Sequence, residues 1–270
     1  MKLEGKSAMI TGGGGGIGKG IVMCLAEEGA DIAIVDIDLS RAEAVAAEAS
    51  KLGRRCTPMK VDVSKPEEID AMIASAIKEF GKLDILVNNA GVGAAPDWKA
   101  GSPLRVKDWD YVYGVNLRAY YFAIKAVMPH MTERRSGKIV NVASVAGRVG
   151  GGPTDVMWPY RATKAAIINL SQSVAVQLAP FNVNVNAVCP GLIWTTLWER
   201  TLAAEMKKSV PAFADMETRQ IFDAAVAITT PLAREQTADD IGRAVAFLVS
   251  DDAKNITGQA LNVDGGQVLN

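Results

Sequence analysis

The stretch "SAMITGGGGGIGKG" (7–20) places a short apolar run directly before five consecutive glycines. The run favours a β-strand, and after the glycines Ile17, Ile21 and Leu25 recur at helical spacing. Glycines at such a junction let the chain turn tightly and let backbone N–H groups approach a phosphate at the positive end of a helix. We therefore expect a strand–turn–helix unit that can bind a dinucleotide.

Two glycine spacings fit this run. The pattern G-x-G-x-x-G fits from Gly13, and the pattern T-G-x-x-x-G-x-G fits from Thr11. Either pattern allows the backbone to approach a pyrophosphate closely. The residues alone leave the choice between the two registers open.

Asp36 ends a second apolar run, "DIAIVD" (31–36). A carboxylate at this place accepts hydrogen bonds from the adenosine ribose hydroxyls and repels a 2′-phosphate. No Lys or Arg stands in the glycine loop or directly after Asp36, so a 2′-phosphate would lack its usual cationic partner. We predict NAD(H) as the cofactor rather than NADP(H). The alternative role for Asp36 is that of a helix N-terminal acid, for which Asp38 competes.

Short apolar runs alternate with longer segments of helical periodicity along the chain. This alternation predicts an α/β fold, a doubly wound (Rossmann-type) parallel β-sheet of about seven strands with helices on both faces. The expected strands are 7–11, 31–36, 56–63, 83–90, 137–144, 183–190 and 259–264.

The chain shows no linker, repeat or low-complexity tract, so residues 1–270 are expected to form a single dinucleotide-binding catalytic domain. Residues 191–236 break the alternation and are rich in Trp, Met and Phe. A long insertion after a strand often acts as a lid over a ligand site. We expect these residues to form a substrate-binding lid.

Composition argues against several functional classes. The net charge is −1 and no block rich in Lys or Arg appears, which speaks against nucleic-acid partners. No apolar run reaches the length of a membrane span or a signal peptide. Three scattered cysteines favour a cytoplasmic location. His130 is the only histidine; we expect it near a helix end in a surface or capping role, and we expect no metal site.

A second stretch, "ASVAGRVGGGPTDVMWPYRATKAA" (143–166), carries Tyr160 and Lys164 four residues apart, on one face of a predicted helix. Free tyrosine titrates near pH 10, and a nearby ammonium lowers the pKa of an acid by about one to three units. The pair therefore predicts a general base for an alcohol proton. The pair by itself would fit a plain amphipathic helix better. Because a cofactor-binding glycine run lies upstream, we interpret the pair as catalytic.

Eight markers in order make the chain, from about Leu3 to Val268, resemble the short-chain dehydrogenase/reductase family in its compact cytosolic form. The markers are "TGGGGGIG" (11–18), Asp62-Val63, "NNAG" (88–91), Asn116, "VNVAS" ending at Ser144, "YRATK" (160–164), "PGLIWT" (190–195) and "ITGQALNVDGG" (256–266). The resemblance selects the second glycine register. The cofactor contacts that it implies in the loop are Gly12, Gly16, Ile17 and Gly18.

The resemblance implies further cofactor contacts after the other strands. Asp62 and Val63 would flank the adenine, and Asn89 and Gly91 would line the ribose region. Ile193 and Thr195 would hold the nicotinamide carboxamide.

The resemblance also assigns catalytic roles to four residues. Ser144 would hydrogen-bond the substrate oxygen and hold it at Tyr160. Lys164 would stabilise the phenolate and bind the nicotinamide ribose, which fixes the cofactor and the base together. Asn116 would lie beside a helix distortion and hold a water that links Lys164 to solvent.

The segment between Ser144 and Tyr160 is longer than is usual in the family, and its glycines and prolines indicate a loop that can grow without moving either end. We expect this enlarged loop, 148–159, to line the substrate pocket. The expected pocket walls are Trp98, Met157, Trp158, Trp194 and Trp198, although aromatic residues of the lid can pack on the protein instead. Arg148 and Arg161 are candidates for binding a substrate carboxylate, but we expect them on a solvated loop and a solvated helix face.

The leading hypothesis is an enzyme, an NAD-dependent short-chain alcohol dehydrogenase that transfers a hydride between NAD(H) and a small-molecule secondary alcohol or ketone. One alternative is a 3-oxoacyl thioester reductase, which usually implies NADPH, against which Asp36 argues. Another is an NAD(H)-binding sensor or scaffold, against which the catalytic residue types argue. The family usually forms tetramers through its long helices, here about 109–134 and 158–179, so we expect a homotetramer.

Overall fold

The computed structural model describes residues 1–99, 102–151 and 157–269. In these residues the strands are β1 (Ser7–Thr11), β2 (Asp31–Asp36), β3 (Cys56–Lys60), β4 (Ile85–Asn88), β5 (Gly137–Val142), β6 (Val183–Pro190) and β7 (Ala260–Val263). They form one parallel sheet in the order β3-β2-β1-β4-β5-β6-β7. Each predicted strand is present, and the predicted doubly wound sheet is confirmed.

Helices cover both faces of the sheet. They are α1 (Gly16–Glu27), α2 (Leu39–Ser50), α3 (Pro66–Phe80), α4 (Val106–Tyr113), α5 (Ala119–Arg134), α6 (Trp158–Leu178), α7 (Ala204–Ser209), α8 (Thr218–Thr229) and α9 (Ala238–Val249). The face that carries Ala8 and Ile10 packs against α1, α2 and α9, and the face that carries Met9 packs against α3, α5 and α6. Because neighbouring residues of a strand point to opposite faces, a sheet covered on both sides needs continuous apolar strands.

The strand order reverses at β1, which has β2 on one side and β4 on the other. At such a reversal a crevice opens outside the carboxyl ends of the strands. The glycine run leaves β1 at this point, and the segment "NNAG" leaves β4 beside it. The topology therefore brings these two motifs together, although 78 positions separate Thr11 from Asn89 in the chain.

The long helix predicted at about 109–134 is interrupted in the structure. Between α4 and α5, residues Gly114–Arg118 form a π-helical turn, and Asn116 lies inside it. Turns of this kind are frequent at functional sites. The distortion that the family resemblance implied at Asn116 is thus present.

Residues 191–236 contain a small helical unit. It consists of a π-helical turn (Trp198–Ala203), α7, a 3-10 turn (Pro211–Phe213) and α8. Its buried side chains pack around Phe222 in a cluster that is separate from the main core. Small satellite clusters of this kind are expected to open more easily than the core. The role of this segment as a lid stays a prediction.

His130 lies near the end of α5, and its Nε2 accepts a hydrogen bond from the backbone N–H of Leu83 at 3.1 Å. Burial lowers the pKa of His130, and the charge of Arg134 lowers it further. Among the residues that the structure describes, no group of three or more metal-binding side chains is placed to hold a metal ion. No described helix combines the length and apolar character that a bilayer crossing requires.

Candidate active site

A cleft of about 630 Å³ opens at the carboxyl edge of the sheet. Four neighbouring strands contribute to it through the glycine loop after β1, Asp36 at the end of β2, Asp62 after β3 and Gly91 after β4. Its volume lies within the range of ligand sites, about 300–1,000 Å³. Tyr160 and Lys164 line the same cleft. The structure therefore brings the predicted cofactor residues and the predicted catalytic pair into one space.

The glycine loop follows a backbone path that favours glycine, with φ of +64° at Gly12 and +51° at Gly16. A Cβ on Gly18 would overlap the carbonyl oxygen of Gly12. Gly12 and Gly16 belong only to the second register, which their positive φ values support, whereas Gly18 belongs to both registers. A Cβ on Gly16 would meet only Thr195, at 3.8 Å, so this glycine opens into the cleft beside Ile17 at the start of α1. Such a cradle at a helix N-terminus fits a pyrophosphate.

Asn89 holds the glycine loop in place. Its Nδ2 donates to the carbonyl oxygens of Thr11 at 2.9 Å and Gly12 at 3.1 Å, and its backbone N–H donates to Thr11 Oγ1 at 3.0 Å. The last bond replaces a strand hydrogen bond, which explains why β4 ends at Asn88, before the predicted boundary. Asn89 lines the cleft as predicted, and its side chain amide is used to fix the loop.

Asp36 is buried at the end of β2, and backbone groups hold its carboxylate. Oδ2 accepts from the N–H of Gly14 at 2.9 Å, and Oδ1 accepts from the N–H of Asp38 at 3.1 Å. The competing capping role belongs to Asp38, whose carboxylate accepts from Ser40 N at 3.0 Å at the start of α2. Asp36 is therefore free of that role and lines the cleft.

Arg41 is a cleft residue that sequence reasoning missed. It belongs to the first turn of α2, and its guanidinium lies so close to Gly15 that a Cβ there would collide with Nη2. The statement that no Arg stands in the glycine loop or directly after Asp36 is true of the sequence, but the fold supplies the cation from α2. The available signal was the position of Arg41 in the first turn of the helix that follows Asp36.

Asp62 and Val63 lie on the cleft wall beyond Asp36. The Asp62 carboxylate accepts from the N–H of Ser64 at 3.0 Å and from its hydroxyl at 2.7 Å, which fixes the turn after β3. Tyr111 of α4 lines the same part of the cleft, and burial raises its pKa. The predicted contact with adenine stays a prediction.

The two residues expected at the nicotinamide end are placed differently. Thr195 lines the cleft and faces Gly16, and its Oγ1 accepts from the N–H of Trp198 at 3.3 Å. Ile193 is buried in the main core and forms an isolated β-bridge with Gln236. Ile193 is therefore not among the residues that line the cleft, and its predicted contact with the cofactor stays a prediction.

Ser144 and Tyr160 meet although the loop between them is long. Ser144 lies two residues after the end of β5 and precedes a 3-10 turn (Val145–Gly147). Its Oγ accepts a hydrogen bond from the N–H of Ala146 at 3.1 Å. Tyr160 lies in the first turn of α6, and its hydroxyl is hydrogen-bonded to the Ser144 side chain. Residues 152–156 of the enlarged loop lie outside the described residues, so the prediction that this loop lines the pocket is untested there.

Lys164 lies one helical turn after Tyr160 and is buried. Its Nζ donates to the carbonyl oxygen of Val142 at 2.7 Å and lies 5.6 Å from the ring centroids of both Tyr160 and Tyr120. Burial lowers the pKa of Lys164 to about 7. The Tyr120 hydroxyl supports the same arrangement, because it donates to the Val142 carbonyl at 3.2 Å.

The pKa of Tyr160 is raised by burial, and the hydrogen bond from Ser144 and the charge of Arg161 offset this in part. The prediction that Lys164 lowers this pKa is wrong for the protein groups taken alone. A lysine with a pKa of about 7 loses its proton before the tyrosine ionises, so its charge is not available to the phenolate. Any further lowering of the Tyr160 pKa must come from a positive charge that a bound ligand adds to the site.

Asn116 is fully buried beside the catalytic pair. Its Oδ1 accepts from the N–H of Val92 at 2.8 Å, and its Nδ2 donates to the Val92 carbonyl at 2.9 Å and contacts Thr163 Oγ1 at 3.3 Å. Asn116 Oδ1 and Lys164 Nζ both flank Gly91, since a Cβ there would lie 3.7 Å and 3.5 Å from them. Asn116 therefore ties the π-helical turn to the loop after β4, and its water-binding role stays a prediction.

The five predicted wall residues have different environments. Trp98 lines the cleft, Met157 is buried, and the Trp158 side chain is 70% exposed at the start of α6. Trp194 and Trp198 pack edge-to-face on Phe222, with ring centroids 5.4 Å and 4.8 Å apart. The alternative in which lid aromatics pack on the protein therefore applies to both, and Trp158 is turned to solvent because it lies on the outer face of α6.

Arg148 and Arg161 are half-buried rather than fully solvated as expected. Arg161 donates to the carbonyl oxygens of Ala146 at 3.4 Å and Val149 at 3.2 Å, which ties α6 to the loop that carries Ser144. Arg148 donates to the carbonyl oxygen of Ala260 in β7. Both guanidinium groups satisfy backbone carbonyls where the loop turns away from β5.

The sequence model of the family described as enoyl-(acyl carrier protein) reductase matches residues 13–267. Galactitol 2-dehydrogenase of Agrobacterium fabrum is 39% identical over 98% of this chain and 98% of its own. The 3-oxoacyl-acyl-carrier-protein reductase FabG of Thermotoga maritima is 32% identical over 100% of both chains.

Among solved structures, NAD+-bound xylitol dehydrogenase matches with a TM-score of 0.89 and 32% identity, over 98% of this chain and 100% of that chain. A 3-ketoacyl-(acyl-carrier-protein) reductase from Brucella melitensis, complexed with NADH, matches with a TM-score of 0.82 and 34% identity, over 99% of this chain and 100% of that chain. Likeness at this identity over nearly the full length of both chains goes beyond a shared fold. The chain therefore belongs to the short-chain dehydrogenase/reductase family of oxidoreductases.

Proposed function

We propose that this protein is an NAD-dependent dehydrogenase that interconverts a small secondary alcohol and its ketone, with Tyr160 as the general acid and base. The observation that carries the proposal is that Tyr160 and Lys164 line the same cleft as Asp36, with Ser144 hydrogen-bonded to the Tyr160 hydroxyl. The tyrosine, the lysine and the serine supply proton chemistry, and Asp36 supplies an acceptor for ribose hydroxyls. Two relatives named for polyol oxidation, galactitol 2-dehydrogenase and xylitol dehydrogenase, support this direction.

Ser144, Tyr160 and Lys164 have different roles at the oxygen atom of the substrate that gains or loses a proton. A nicotinamide dinucleotide, when bound, supplies the acceptor or donor of a hydride. Ser144 donates a hydrogen bond to the substrate oxygen, and Tyr160, already hydrogen-bonded to Ser144, takes up or returns the proton of that oxygen. Lys164 is held by the Val142 carbonyl beside the Tyr160 ring, where its proton can be exchanged near neutral pH.

NAD(H) is the proposed cofactor because a buried carboxylate stands at the end of β2. The two backbone N–H groups that bind Asp36 keep its charge in the cleft, so that a 2′-phosphate would lie close to a fixed negative charge. The hydroxyls of an unphosphorylated ribose can instead donate to it. The Asp36→Asn variant should bind NAD more weakly and NADP more tightly than the wild-type protein.

The decisive experiment screens secondary alcohols, polyols, hydroxy acids and hydroxysteroids with NAD+ by following NADH absorbance. The Tyr160→Phe variant should lose turnover by at least about a hundredfold, the usual contribution of a general base, while its affinity for NADH is retained. Tyr121→Phe is the matched control, because Tyr121 is exposed on α5. Full alcohol oxidation by Tyr160→Phe would contradict the mechanism, and binding of NAD without turnover of any compound would favour a sensor or scaffold.

A 3-oxoacyl thioester reductase is the second candidate. The observation in its favour is the full-length similarity to the reductases of Thermotoga maritima and Brucella melitensis. This activity would appear as rapid oxidation of NADH or NADPH by a 3-oxoacyl thioester. If kcat/KM for the thioester exceeds kcat/KM for every alcohol in the screen, the protein is a 3-oxoacyl thioester reductase.

We also propose a homotetramer that assembles through α4, α5 and α6. Apolar side chains with large exposed fractions lie on these helices, among them Val106, Trp109, Tyr113, Tyr121 and Trp158. Exposed apolar patches of this kind mark association surfaces. Light scattering of the purified protein measures the mass directly, and a monomer at micromolar concentration would contradict the proposal. A cytoplasmic location and the absence of nucleic-acid or membrane partners stay predictions.

A further inference from the structure

The carbonyl oxygen of Val142, which holds Lys164, lies just beyond a hydrogen-bond ladder. The register between β4 and β5 stops at the pair Asn88 and Asn141, one residue before Val142. Two buried side chains reach this oxygen, Lys164 through Nζ at 2.7 Å and Tyr120 through its hydroxyl at 3.2 Å. A carbonyl oxygen has two lone pairs and can accept both bonds. Lys164 therefore shares its anchor with a donor from α5.

The Tyr120 hydroxyl has one proton and two acceptors. Its oxygen lies 3.2 Å from the carbonyl oxygen of Val142 and 3.2 Å from that of Ala90. A phenol donates a single O–H bond, so it satisfies one of these oxygens at a time. Burial raises the pKa of Tyr120, which keeps the proton on the hydroxyl. Rotation about the C–O bond is then enough to move this donor from one carbonyl to the other.

The two carbonyls differ in their surroundings. Val142 is buried, whereas Ala90 is half-buried and borders the cleft. A buried carbonyl that loses its donor is costly, because no water replaces the lost bond. While Lys164 occupies the Val142 oxygen, the Tyr120 proton is available to Ala90. If Lys164 withdraws, the same proton is needed at Val142.

Lys164 is placed so that a ligand can draw it from Val142. It lines the cleft, and its Nζ lies 3.5 Å from the position that a Cβ on Gly91 would take at the cleft wall. Acceptor atoms of a ligand in the cleft therefore compete with the Val142 carbonyl for the donors of Lys164. Withdrawal without a replacement donor would offset part of the binding free energy.

We propose that Tyr120 is a positioning residue whose hydroxyl takes over the Val142 carbonyl when a bound dinucleotide draws Lys164 into the cleft. The proposal rests on the proposed function for the identity of this ligand. Lys164 can then turn its donors to the ligand and toward Tyr160 while the buried oxygen stays paired. Tyr120 acts through Lys164 and touches no reacting atom.

The Tyr120→Phe variant tests this exchange, because it removes the hydroxyl and keeps the ring, whose centroid lies 5.6 Å from Lys164 Nζ. Calorimetry measures dissociation constants for NADH and for 5′-AMP, which carries only the adenosine half of the dinucleotide. NADH should bind at least about fivefold more weakly, since withdrawal of Lys164 now leaves a buried carbonyl unpaired, and 5′-AMP should bind as to the wild type. Tyr121→Phe is the matched control, because it removes the same group from the exposed neighbour on α5.

The same change in the Lys164→Met background gives a second measurement. The effect of Tyr120→Phe on NADH should disappear there, because no amine is left to withdraw. The effect on stability should grow, since Val142 then relies on Tyr120 among the side chains that the structure describes. In urea titrations Tyr120→Phe should raise the unfolding equilibrium constant at least about tenfold more in this background than in the wild type. A merely structural role for Tyr120 would not move the two measurements in opposite directions.

Equal effects of Tyr120→Phe on stability in the two backgrounds would overturn the proposal, and so would equal weakening of NADH and 5′-AMP. A double variant that does not fold, although both single variants do, supports the coupling, and the comparison of the two ligands in Tyr120→Phe completes the test. A wild-type protein that binds neither NADH nor NADPH contradicts the proposed function. The stability measurements still judge the exchange of donors at Val142 in that case, because they need no ligand.

Discussion

The side chain of Asn116 pairs twice with the backbone of Val92. The N–H of Val92 donates to Oδ1 at 2.8 Å, and Nδ2 donates to the Val92 carbonyl at 2.9 Å. This reciprocal pair joins the π-helical turn between α4 and α5 to the loop after β4, and Gly91 of that loop lies against Lys164. The geometry of the proton-handling groups therefore depends on a side chain that touches none of the expected substrate atoms.

The Asn116→Ala variant should lose both stability and activity. It leaves the N–H and carbonyl of the half-buried Val92 without their partner, and an unsatisfied buried polar group costs about 1–3 kcal/mol. We expect a decrease of about 2–4 kcal/mol in the free energy of unfolding, measured in urea. Asn169→Ala, an exposed change on α6, should alter it by less than about 0.5 kcal/mol. Equal stability of the two variants would show that the paired hydrogen bonds contribute nothing.

The Lys164→Met variant should be more stable than the wild type at neutral pH while losing activity. Burial lowers the pKa of Lys164 from 10.5 to about 7, so the folded state disfavours the ammonium. The Val142 carbonyl keeps a donor in the variant, because the Tyr120 hydroxyl also binds it. Catalysis should fail, since the group beside Tyr160 is gone.

The pH dependence of this stabilisation follows from the direction of the shift. Between pH 7 and about 10.5 the unfolded chain holds a proton on Lys164 that the folded chain has released, so the wild-type protein gains stability as the pH rises. The advantage of Lys164→Met is therefore full below about pH 7 and shrinks toward pH 10.5. Thermal melts at several pH values measure it, with the exposed Lys125→Met as control. An advantage that grows with pH would contradict the assigned direction.

The Gly18→Ala variant should impair cofactor binding through the loop. The added Cβ would overlap the Gly12 carbonyl oxygen and lie 2.7 Å from Asn89 Nδ2, so the bonds that hold the loop must shift. We expect about 1–3 kcal/mol of destabilisation and at least tenfold weaker NADH binding, measured by fluorescence. Gly5→Ala introduces a Cβ in open space, at a φ of +69° that strains the backbone only locally, and should leave NADH binding unchanged. Normal NADH affinity in Gly18→Ala would show that cofactor binding does not depend on this path of the loop.

The Phe222→Ala variant should loosen the segment 191–236 without unfolding the sheet. Phe222 is fully buried and supports both Trp194 and Trp198, and loss of such a ring costs about 3–5 kcal/mol where the cavity stays open. Hydrogen exchange should rise in α8 and in Trp198–Ala203, and the KM for the alcohol should rise more than kcat falls. Phe247→Ala, a partly exposed change on α9, is the control. Uniformly faster exchange in the sheet would show that this cluster is part of the main core.

The sequence predicted the architecture well because the signals are local. Each strand appears as a continuous apolar run, since both faces of a parallel sheet are covered, and each run is followed by a segment of helical period. The glycine register was settled by the family resemblance, and the positive φ values of Gly12 and Gly16 agree with it. Strand ends were less certain, because a hydrogen bond such as that from Asn89 to Thr11 joins distant parts of the chain.

The chain by itself determined the doubly wound fold, the order of the cofactor and catalytic motifs, and the presence of Asp36, Ser144, Tyr160 and Lys164 on elements that end at one edge of a sheet. Only the tertiary structure decided the closeness of Asp36 and Arg41 at the glycine loop, the low pKa of Lys164 and the packing of Trp194 and Trp198 on Phe222. The physical reason is that these properties depend on which side chains are neighbours in space. Arg41 reaches Gly15 from another helix, and Lys164 loses its water only when α6 packs against β5.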